Sequence, residues 1–555
     1  MDDKTVVLDI LSRYDEIKVL SDEDNIIFFQ LKEKEYCISY PKRDDRASNP
    51  QILVKNYDDN YYPHIMMEQI PIENRTEKYH SICLNEAGSS IQYITSFEDK
   101  IIDILDRLIH LLSLSQLEIE NEFQKEFLFY WNMMAEYTLS VKIFIGRDRV
   151  YKKMNIYHGI KGEMRVVSKD IKLNDKDIKN GDKKVWNHIA DLPIYYIPII
   201  DNRRILPPSK SNKWTTDNIL QIIEGQDFAR ISRETYEKIK QEKIALKRIG
   251  LVFEMIVNGN SINFCCFINF KNAENNSLLN KLKGDITSID YVICKRIDFY
   301  HLCKQIGNDT TIIDKKILLV GAGSLGSYVG KELIKSGIKN LIIYDGDYIE
   351  YENMLRHSSI HFGEKVAKVL VMELELKNMH PEIQIETFAC NINETILQEK
   401  MWQFDIIIFT VGNSDVQLMA NKLFKKNNYN KPVIFAWLEA GGIHSHILTV
   451  DYSKEGCFEC LYTDQSGNYF NNKVNIYGDE EVEMNTLRNG CGATRVAYGT
   501  EILLRTTSVL LNTVKSVFHS ELDINNLINI NPMSVSNEGN TFKERECQCC
   551  GNKDI

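Results

Sequence analysis

The chain has 555 residues, of which 43% are hydrophobic and 26% charged, and its formal net charge at pH 7 is −11. This length predicts several domains, since one domain usually holds roughly 100–200 residues. The acidic balance disfavours binding to phosphate backbones, so we expect no nucleic-acid partner.

The N-terminus, Met1-Asp2-Asp3-Lys4, lacks the basic region and apolar run of a secretory signal. No apolar stretch approaches the ~18–20 residues that a membrane helix needs, so we expect no membrane segment. We therefore expect a cytoplasmic protein whose 13 cysteines stay reduced. Clustered cysteines in such a compartment indicate metal binding or thiol chemistry.

Residues 1–125 predict a small α+β domain. Apolar residues recur at three- and four-residue spacing from Ile101 to Leu112, which predicts a helix, and the periodicity resumes over Glu122–Ala135. Strands are predicted at Asn25–Leu31, Glu35–Tyr40 and Ile52–Lys55. Residues 126–305 predict a mixed α/β linker domain. Its predicted elements are the strands Tyr195–Ile200 and Gly250–Val257 and a helix over Arg233–Leu246.

From residue 306 to 555 the strands and helices alternate, which predicts an α/β domain with a Rossmann-like sheet. The predicted strands are Ile317–Val320, Leu341–Tyr344, Ile406–Thr410 and Val433–Ala436. A GxGxxG pattern formed by Gly321, Gly323 and Gly326 lies between the first strand and a helix that continues through Ser336. The first glycine permits a tight turn, the second lets phosphates approach the backbone, and the third allows close packing of helix and strand.

Polar residues after the second strand favour adenylation over hydride transfer. Asp345 ends that strand, 19 residues after Gly326, where a carboxylate can bind ribose hydroxyls. Alone, this pattern fits a dehydrogenase equally well. Asn353, Arg356 and Lys368 follow, and an enzyme that adenylates a carboxylate needs such cations to hold a triphosphate. We expect ATP and Mg²⁺ as cofactors, the metal being held by carboxylates.

These residues, in the runs GAGSLG, DGD and ENMLR followed by a helical lysine, resemble the ThiF family. That family comprises ubiquitin-activating enzymes and the adenylyltransferases of molybdopterin and thiamine synthesis. The resemblance implies that Asp345 binds ribose and that Asn353, Arg356 and Lys368 contact phosphates. Lys365 competes with Lys368, whose distance to Pro381 matches the family. Where the family often has an aspartate after the third strand, this chain has Gly412, and Asp415 is the alternative ligand for Mg²⁺.

Two CxxC pairs predict a zinc site. Four thiolates suit a closed, structural tetrahedral Zn²⁺ site, which would join the C-terminal tail to the loop after the sheet. Cys549 is an alternative to the last of these four ligands. The pairs are Cys457 with Cys460 and Cys547 with Cys550.

Two further cysteines are candidates for acyl transfer. Cys491 is flanked by Gly490 and Gly492, which predicts a flexible segment that suits a thiol attacking an acyl-adenylate to form a thioester. The ThiF resemblance places the catalytic cysteine of activating enzymes in this region. Cys83, in the run Tyr79–Leu84, resembles the active-site cysteine of ubiquitin-conjugating enzymes.

The conjugating-type resemblance has departures and rivals. The usual His-Pro-Asn triplet is absent, Asn74 is a poor substitute for it, and His80 can orient groups or accept a proton. Cys37 is the rival of Cys83, but its surroundings predict the middle of a buried strand.

The domain order resembles the fused ubiquitin-transfer-like proteins of bacterial CBASS antiphage operons, a resemblance that includes Glu126–Trp131. It implies a homodimeric enzyme that adenylates the C-terminal carboxylate of a cGAS-like nucleotidyltransferase. The acyl group would pass to Cys491, then to Cys83, and finally to a target amine. A sulfur-carrier adenylyltransferase would need no Cys83 domain, and a non-catalytic scaffold would bind nucleotide without pyrophosphate exchange.

Overall fold

The computed structural model describes most of the chain. The residues outside the description are 1, 46, 57–61, 74, 85–93, 136–139, 160–161, 175–178, 181–182, 185, 203–204, 210–211, 225–230, 360–364, 470–472, 476–485, 489–493, 521–524 and 552–555. Among the described residues, no helix has the length and apolar character needed to cross a bilayer.

The chain forms two compact units of mixed α/β structure. The first consists of Met1–Ile143, Asp148–Ser168 and His188–Arg296, and the second of Phe144–Arg147, Lys169–Asn187 and Ile297–Ile555. Strands and helices are numbered here along the whole chain.

The first unit begins with a six-stranded antiparallel sheet in the order β1-β2-β3-β4-β6-β5. One face of this sheet shares a hydrophobic core with α1 and α2. The strands are β1 (Lys18–Glu23), β2 (Ile26–Leu31), β3 (Lys34–Ser39), β4 (Gln51–Lys55), β5 (Ile65–Ile70) and β6 (Tyr79–Ile82). The helices are α1 (Asp3–Leu11), α2 (Phe97–Ser113), α3 (Gln116–Lys125) and α4 (Phe127–Met134).

The helical periodicity predicted over Glu122–Ala135 corresponds to the end of α3 and to α4, and the prediction missed the break between them at Glu126. The α3 helix begins at a capping box in which Ser115 and Glu118 satisfy each other's backbone N–H groups. Phe127 and Trp131 of α4 are fully buried in a second core, whose packing sets the direction of α4. The predicted strands of this region agree with β2, β3 and β4 to within one residue at each end.

That second core lies against an eight-stranded sheet in the order β12-β8-β13-β15-β16-β18-β7-β9, in which β9 also pairs with β8. Its strands are β7 (Ser140–Phe144), β8 (Lys152–Gly159), β9 (Met164–Val167), β12 (Trp186–His188), β13 (Ile194–Pro198), β15 (Arg248–Val257), β16 (Asn260–Phe270) and β18 (Ile286–Arg296). The remaining elements of the unit are α5 (Thr216–Glu224), α6 (Arg233–Gln241), β14 (Lys243–Ile244), β17 (Asn276–Ser277) and α7 (Leu278–Gly284).

Two details of this region go beyond the predictions made from the sequence. The predicted helix Arg233–Leu246 ends at Gln241, after which β14 pairs with β17. The β15–β16 hairpin turns at Asn258 and Gly259, whose φ angles of +50° and +79° lie in the left-handed region required by a type I′ turn.

The second unit contains the predicted Rossmann-like sheet, extended by antiparallel strands. The order is β21-β20-β19-β22-β23-β24-β27-β28, parallel from β21 to β23 and antiparallel beyond. The strands are β19 (Lys316–Val320), β20 (Asn340–Tyr344), β21 (Gln384–Phe388), β22 (Ile406–Phe409), β23 (Val433–Leu438), β24 (Ser445–Val450), β27 (Asn526–Ile530) and β28 (Val535–Gly539).

Helices pack on both faces of this sheet, around two hydrophobic clusters. The helices are α8 (Phe299–Gln305), α9 (Ser324–Lys335), α10 (Lys368–Met379), α11 (Glu394–Lys400), α12 (Ser414–Lys426) and α13 (Thr500–Phe518). Two short antiparallel strand pairs complete the unit: β10 (Lys179–Asn180) with β11 (Lys183–Lys184), and β25 (Thr486–Arg488) with β26 (Thr494–Val496). The order of the parallel strands reverses at β19, so a crevice forms beyond the carboxyl ends of β19 and β22.

Candidate functional site

A cavity of about 740 Å³ lies at this crevice of the second unit. It is bounded by the loops that follow β19, β20, β22 and β23 and by the start of α9. Its lining includes six of the eight residues predicted for nucleotide binding; the other two are Gly326 and Asp415. The lining residues are Val320, Gly321, Gly323, Ser324, Leu325, Tyr344, Asp345, Asp347, Asn353, Arg356, His357, Lys368, Asn391, Ile392, Thr410, Val411, Gly412, Asn413, Val416, Trp437, Leu438 and Tyr498.

The three glycines of the loop have different surroundings. A Cβ on Gly321, whose φ is +104°, would meet Thr410 at 2.9 Å. A Cβ on Gly326 would meet the Gly321 carbonyl oxygen at 2.0 Å, so this glycine permits the close packing of loop and helix. A Cβ on Gly323 would meet no atom within 4 Å. The space beside Gly323 is therefore open. Gly323 lies at the N-terminus of α9, where backbone N–H groups favour the binding of an anion.

Asp345 joins the glycine loop to the end of β20. Its carboxylate accepts hydrogen bonds from the backbone N–H groups of Ala322 at 2.6 Å and Asp347 at 2.7 Å. Burial raises the pKa of Asp345, while these hydrogen bonds and the charge of Lys368 act in the opposite direction. The carboxylate lines the cavity, where it can also accept hydrogen bonds from a ligand.

Two cationic side chains face the same cavity. The Lys368 Nζ lies 2.9 Å from a carboxylate oxygen of Asp347, at the first residue of α10. Arg356 lies over the ring of Tyr498, 5.5 Å from its centroid. Lys365, the other candidate lysine, is exposed and does not line the cavity.

Of the other predicted residues, Asn353 lines the cavity and Asp415 does not. Asn353 is buried, and its side-chain oxygen accepts a hydrogen bond from the Glu350 backbone N–H at 3.1 Å. Asp415 is exposed in the first turn of α12 and is not among the residues that line the cavity. Two carboxylates are therefore candidates to hold Mg²⁺ beside a bound triphosphate: Asp347 in the cavity wall and Asp415 near it.

His357 and Thr410 were not identified from the sequence. The buried His357 ring donates from Nε2 to the Ala322 carbonyl at 2.9 Å and accepts at Nδ1 from the Ser359 N–H at 3.2 Å. Burial lowers the pKa of His357, which favours this neutral tautomer. Thr410 Oγ1 is within hydrogen-bond distance of the Val320 and Gly321 carbonyls, at 3.2 and 3.0 Å. Neither residue has a local sequence signal, because both contact the glycine loop from distant positions in the chain.

The four cysteines of the two CxxC pairs come together in the second unit. Their sulfur atoms all lie within 4.8 Å of one another, with Cys457 and Cys547 at 3.8 Å and Cys460 and Cys550 at 3.4 Å. Zinc–sulfur bonds of about 2.3 Å in a tetrahedron require sulfur atoms ~3.8 Å apart, so the cluster is consistent with a zinc site. Cys549 accepts a hydrogen bond from Asn421 at 3.2 Å.

Of the two proposed acyl-carrying cysteines, only Cys83 is among the described residues. Cys491 lies outside them, as does Asn74. Cys83 is exposed directly after β6, and its backbone N–H donates to the His64 carbonyl at 2.7 Å. His80 Nδ1 lies 3.0 Å from the Met66 carbonyl. Cys37 is fully buried within β3, which confirms the prediction of a core position.

Comparison with known proteins identifies the C-terminal domain. Residues 303–551 match the model of the ThiF family. The chain is also 28% identical over 165 residues to ubiquitin-like modifier-activating enzyme 5 of Drosophila virilis and 27% identical over 167 residues to that of Caenorhabditis briggsae. Each match covers 27% of this chain, and 40% and 37% of the respective relatives. The second unit therefore contains a ThiF family domain homologous to ubiquitin-like activating enzymes.

Solved structures of E. coli MccB are also similar to part of this chain. The structure described as MccB with ATP is 22% identical, with a TM-score of 0.34, and the match covers 43% of this chain and 68% of MccB. A second MccB structure has 22% identity and a TM-score of 0.35.

Proposed function

We propose that this chain is an ATP-dependent ubiquitin-transfer-like enzyme that adenylates the C-terminal carboxylate of a partner protein. The supporting observation is the convergence of the Gly321 loop, Asp345, Arg356 and Lys368 on one cavity of a ThiF family domain. In this proposal Asp345 binds the ribose, and the open position at Gly323 accepts phosphate against the N-terminus of α9.

The cations act on the phosphates during adenylate formation. Charge builds on the α-phosphoryl oxygens as the carboxylate attacks and pyrophosphate leaves. Arg356 and Lys368 stabilise that charge, and Asn353 contacts the phosphates beside them. Mg²⁺ would supply further charge neutralisation, held by Asp347 or Asp415. Zinc on Cys457, Cys460, Cys547 and Cys550 would be structural, because four thiolates leave no open coordination position.

The acyl group then passes between two thiols. The Cys491 thiolate attacks the acyl-adenylate and releases AMP, which conserves the activation as a thioester. The Cys83 thiolate takes the acyl group from Cys491 by thioester exchange, which needs no further ATP. A target amine finally displaces Cys83 to give an amide. The domains proposed for these steps are residues 1–125 for conjugation, 126–305 as linker and 306–555 for activation.

The biological setting follows from the CBASS resemblance. We propose that the adenylated partner is a cGAS-like nucleotidyltransferase, that the enzyme works as a cytoplasmic homodimer, and that conjugation serves antiphage defence. The chain matches less than half of the length of the relatives named above. The proposed partner, homodimer and role in defence therefore depend on the motif pattern and the domain order.

Intact-mass spectrometry tests the relay. The chain is incubated with ATP, Mg²⁺ and the proposed partner, a cGAS-like nucleotidyltransferase, with and without reductant. Cys83→Ala should stall the acyl group on Cys491 as a thiol-sensitive adduct, and Cys491→Ala should carry no adduct. Normal amounts of reductant-resistant conjugate from Cys83→Ala would exclude Cys83 as the conjugating thiol.

A further inference from the structure

A second cavity, of about 660 Å³, lies beside Cys83 within the first unit. Three segments that are distant in sequence form its wall: β5 with the residue after β6, the junction of α3 and α4, and the tip of the β15–β16 hairpin. The proposed transfer chemistry assigns no role to the last two. The tip contributes Asn258, Asn260 and Ser261, so the eight-stranded sheet supplies part of the surroundings of a thiol that follows the six-stranded sheet.

One carboxylate of the wall, that of Glu126, is linked to Cys83 through a set of hydrogen bonds. Glu126 lines the cavity at the break between α3 and α4, and one of its oxygens lies 2.9 Å from His64 Nδ1. The other oxygen accepts from the Tyr130 hydroxyl at 3.3 Å. His64 donates its backbone N–H to the same hydroxyl at 2.8 Å and accepts the Cys83 N–H at its carbonyl. Glu126 is therefore held in a fixed place relative to Cys83.

The remainder of the wall separates into polar and apolar parts. Met66, Leu128, Phe129, Val257 and Ile262 provide an apolar surface of the kind that packs against methylene groups. The charged groups around Glu126 are Glu122 and Lys125, which pair with each other, and His64, which lies between both glutamates. The cavity thus combines an anchored carboxylate, an apolar wall and a candidate acyl-carrying thiol.

We propose that this cavity is the acceptor site and that it binds a primary alkylammonium group, with Glu126 holding the ammonium and the apolar wall holding the alkyl chain. The inference rests on the proposed function and adds the location and chemistry of the acceptor site. A lysine side chain and a free aliphatic amine share this chemistry.

The transfer step balances with these groups. The ammonium gives one proton to Glu126, and the nitrogen lone pair forms a C–N bond with the thioester carbonyl carbon. The C–S bond breaks, its electron pair goes to Cys83 Sγ, and the second nitrogen proton reaches that sulfur, so that the products are an amide and a thiol. Burial and the charge of Glu126 raise the pKa of the Cys83 thiol, which favours the protonated leaving group.

The test separates loading of Cys83 from its discharge. Full-length protein with Cys491→Ala is loaded on Cys83 by exchange with a synthetic acetyl-glycine thioester. Discharge is then timed with N-α-acetyl-lysine amide, with 1,5-diaminopentane and with hydroxylamine, which is uncharged at slightly alkaline pH. Glu126→Gln removes the charge of the proposed anchor. Asn260→Tyr fills the cavity from an exposed hairpin position, and Glu120→Gln is the matched control on α3.

We expect Glu126→Gln to slow discharge to the two alkylamines about 10- to 100-fold, the range for a hydrogen bond to a charged group. Discharge to hydroxylamine should stay at the wild-type rate, which shows that Cys83 remains intact and reactive. Asn260→Tyr should slow the alkylamines, and Glu120→Gln should slow none. Faster discharge to the lysine derivative than to the diamine identifies a polypeptide side chain as the acceptor, and the reverse order identifies a free amine.

Two results would overturn the proposal in distinguishable ways. If Cys83 loads but Glu126→Gln and Asn260→Tyr both discharge to alkylamines at the wild-type rate, the cavity is not the acceptor site and the proposed relay stands. If Cys83 accepts no acyl group from the thioester, the conjugating role of Cys83 fails together with this inference.

Discussion

The carboxylate of Asp345 accepts a 2.6 Å hydrogen bond from the backbone N–H of Ala322, which joins the end of β20 to the glycine loop after β19. His357 holds the other side of the same residue, since its ring donates to the Ala322 carbonyl. The loop is thus fixed on both sides before any nucleotide binds. A loop that is already ordered loses less conformational entropy when a nucleotide binds. Mutation of Asp345 or His357 therefore tests the contribution of this order to binding.

The first prediction concerns Asp345. Asp345→Ala should weaken ATP binding about 100-fold or more, because it removes both the proposed ribose acceptor and the charged hydrogen bond that holds Ala322. The measurement is the KM for ATP in partner-dependent ATP–pyrophosphate exchange. Glu386→Gln, an exposed carboxylate change on the neighbouring strand β21, is the control and should leave that KM unchanged. An unchanged KM in Asp345→Ala would exclude the ribose role.

The second prediction concerns the buried His357. Because burial lowers its pKa in the folded chain, the unfolded chain binds more protons below about pH 6.5, the ordinary value for histidine. The contribution of neutral His357 to stability is therefore complete above that pH and is lost as the pH falls toward the lowered pKa. The difference in unfolding free energy between wild type and His357→Gln should shrink on acidification from pH 7 to 5. A difference independent of pH would contradict the neutral assignment.

The third prediction concerns the cysteine cluster. Purified protein should hold about one zinc per chain, since four thiolates complete one tetrahedral site. Cys457→Ser with Cys547→Ser should abolish the zinc content measured by elemental analysis and lower the melting temperature. Cys390→Ser, a change at an exposed cysteine, should affect neither.

The same assay decides between the two candidates for the fourth ligand. Cys549→Ser should retain zinc, because the Cys550 sulfur belongs to the cluster that lies within 4.8 Å. Retention in Cys550→Ser with loss in Cys549→Ser would assign the fourth ligand to Cys549. Full zinc content in the double variant of Cys457 and Cys547 would exclude the site.

The fourth prediction concerns the order of the chemical steps. Cys491→Ala should support ATP–pyrophosphate exchange at the wild-type rate, because the thiol acts only after the adenylate has formed. Arg356→Ala should abolish exchange, because it removes a cation from the phosphates. Loss of exchange in Cys491→Ala, with an unchanged melting temperature, would contradict the proposed order.

The sequence predicted those features that depend on local pattern. The Gly321 loop, β19, β20, β22 and the start of α10 at Lys368 follow from glycine spacing and apolar runs, and the structure places each within two residues. The break at Glu126 was missed because the apolar periodicity continues across it, while Phe127 and Trp131 turn toward a different core. The capping pair Ser115 and Glu118 was the local signal for the start of α3.

Long-range features could not be predicted in this way. His357 contacts Ala322, 35 positions earlier, and Thr410 contacts Gly321, 89 positions earlier, so neither role has a local signature. The antiparallel strands β24, β27 and β28 join the sheet through pairings that a local reading does not reveal. The same holds for the cavity at Cys83, whose wall combines residues 64, 126 and 260.

The central claim is that the ThiF domain activates a C-terminal carboxylate, and one measurement tests it most directly. ATP–pyrophosphate exchange is compared with two synthetic peptides that carry the C-terminal residues of the proposed partner, a cGAS-like nucleotidyltransferase, one ending in a free carboxylate and the other in an amide. We expect exchange with the carboxylate peptide and none with the amide, because only the carboxylate can attack the α-phosphorus. Equal exchange with both peptides, or no exchange with either, would contradict it.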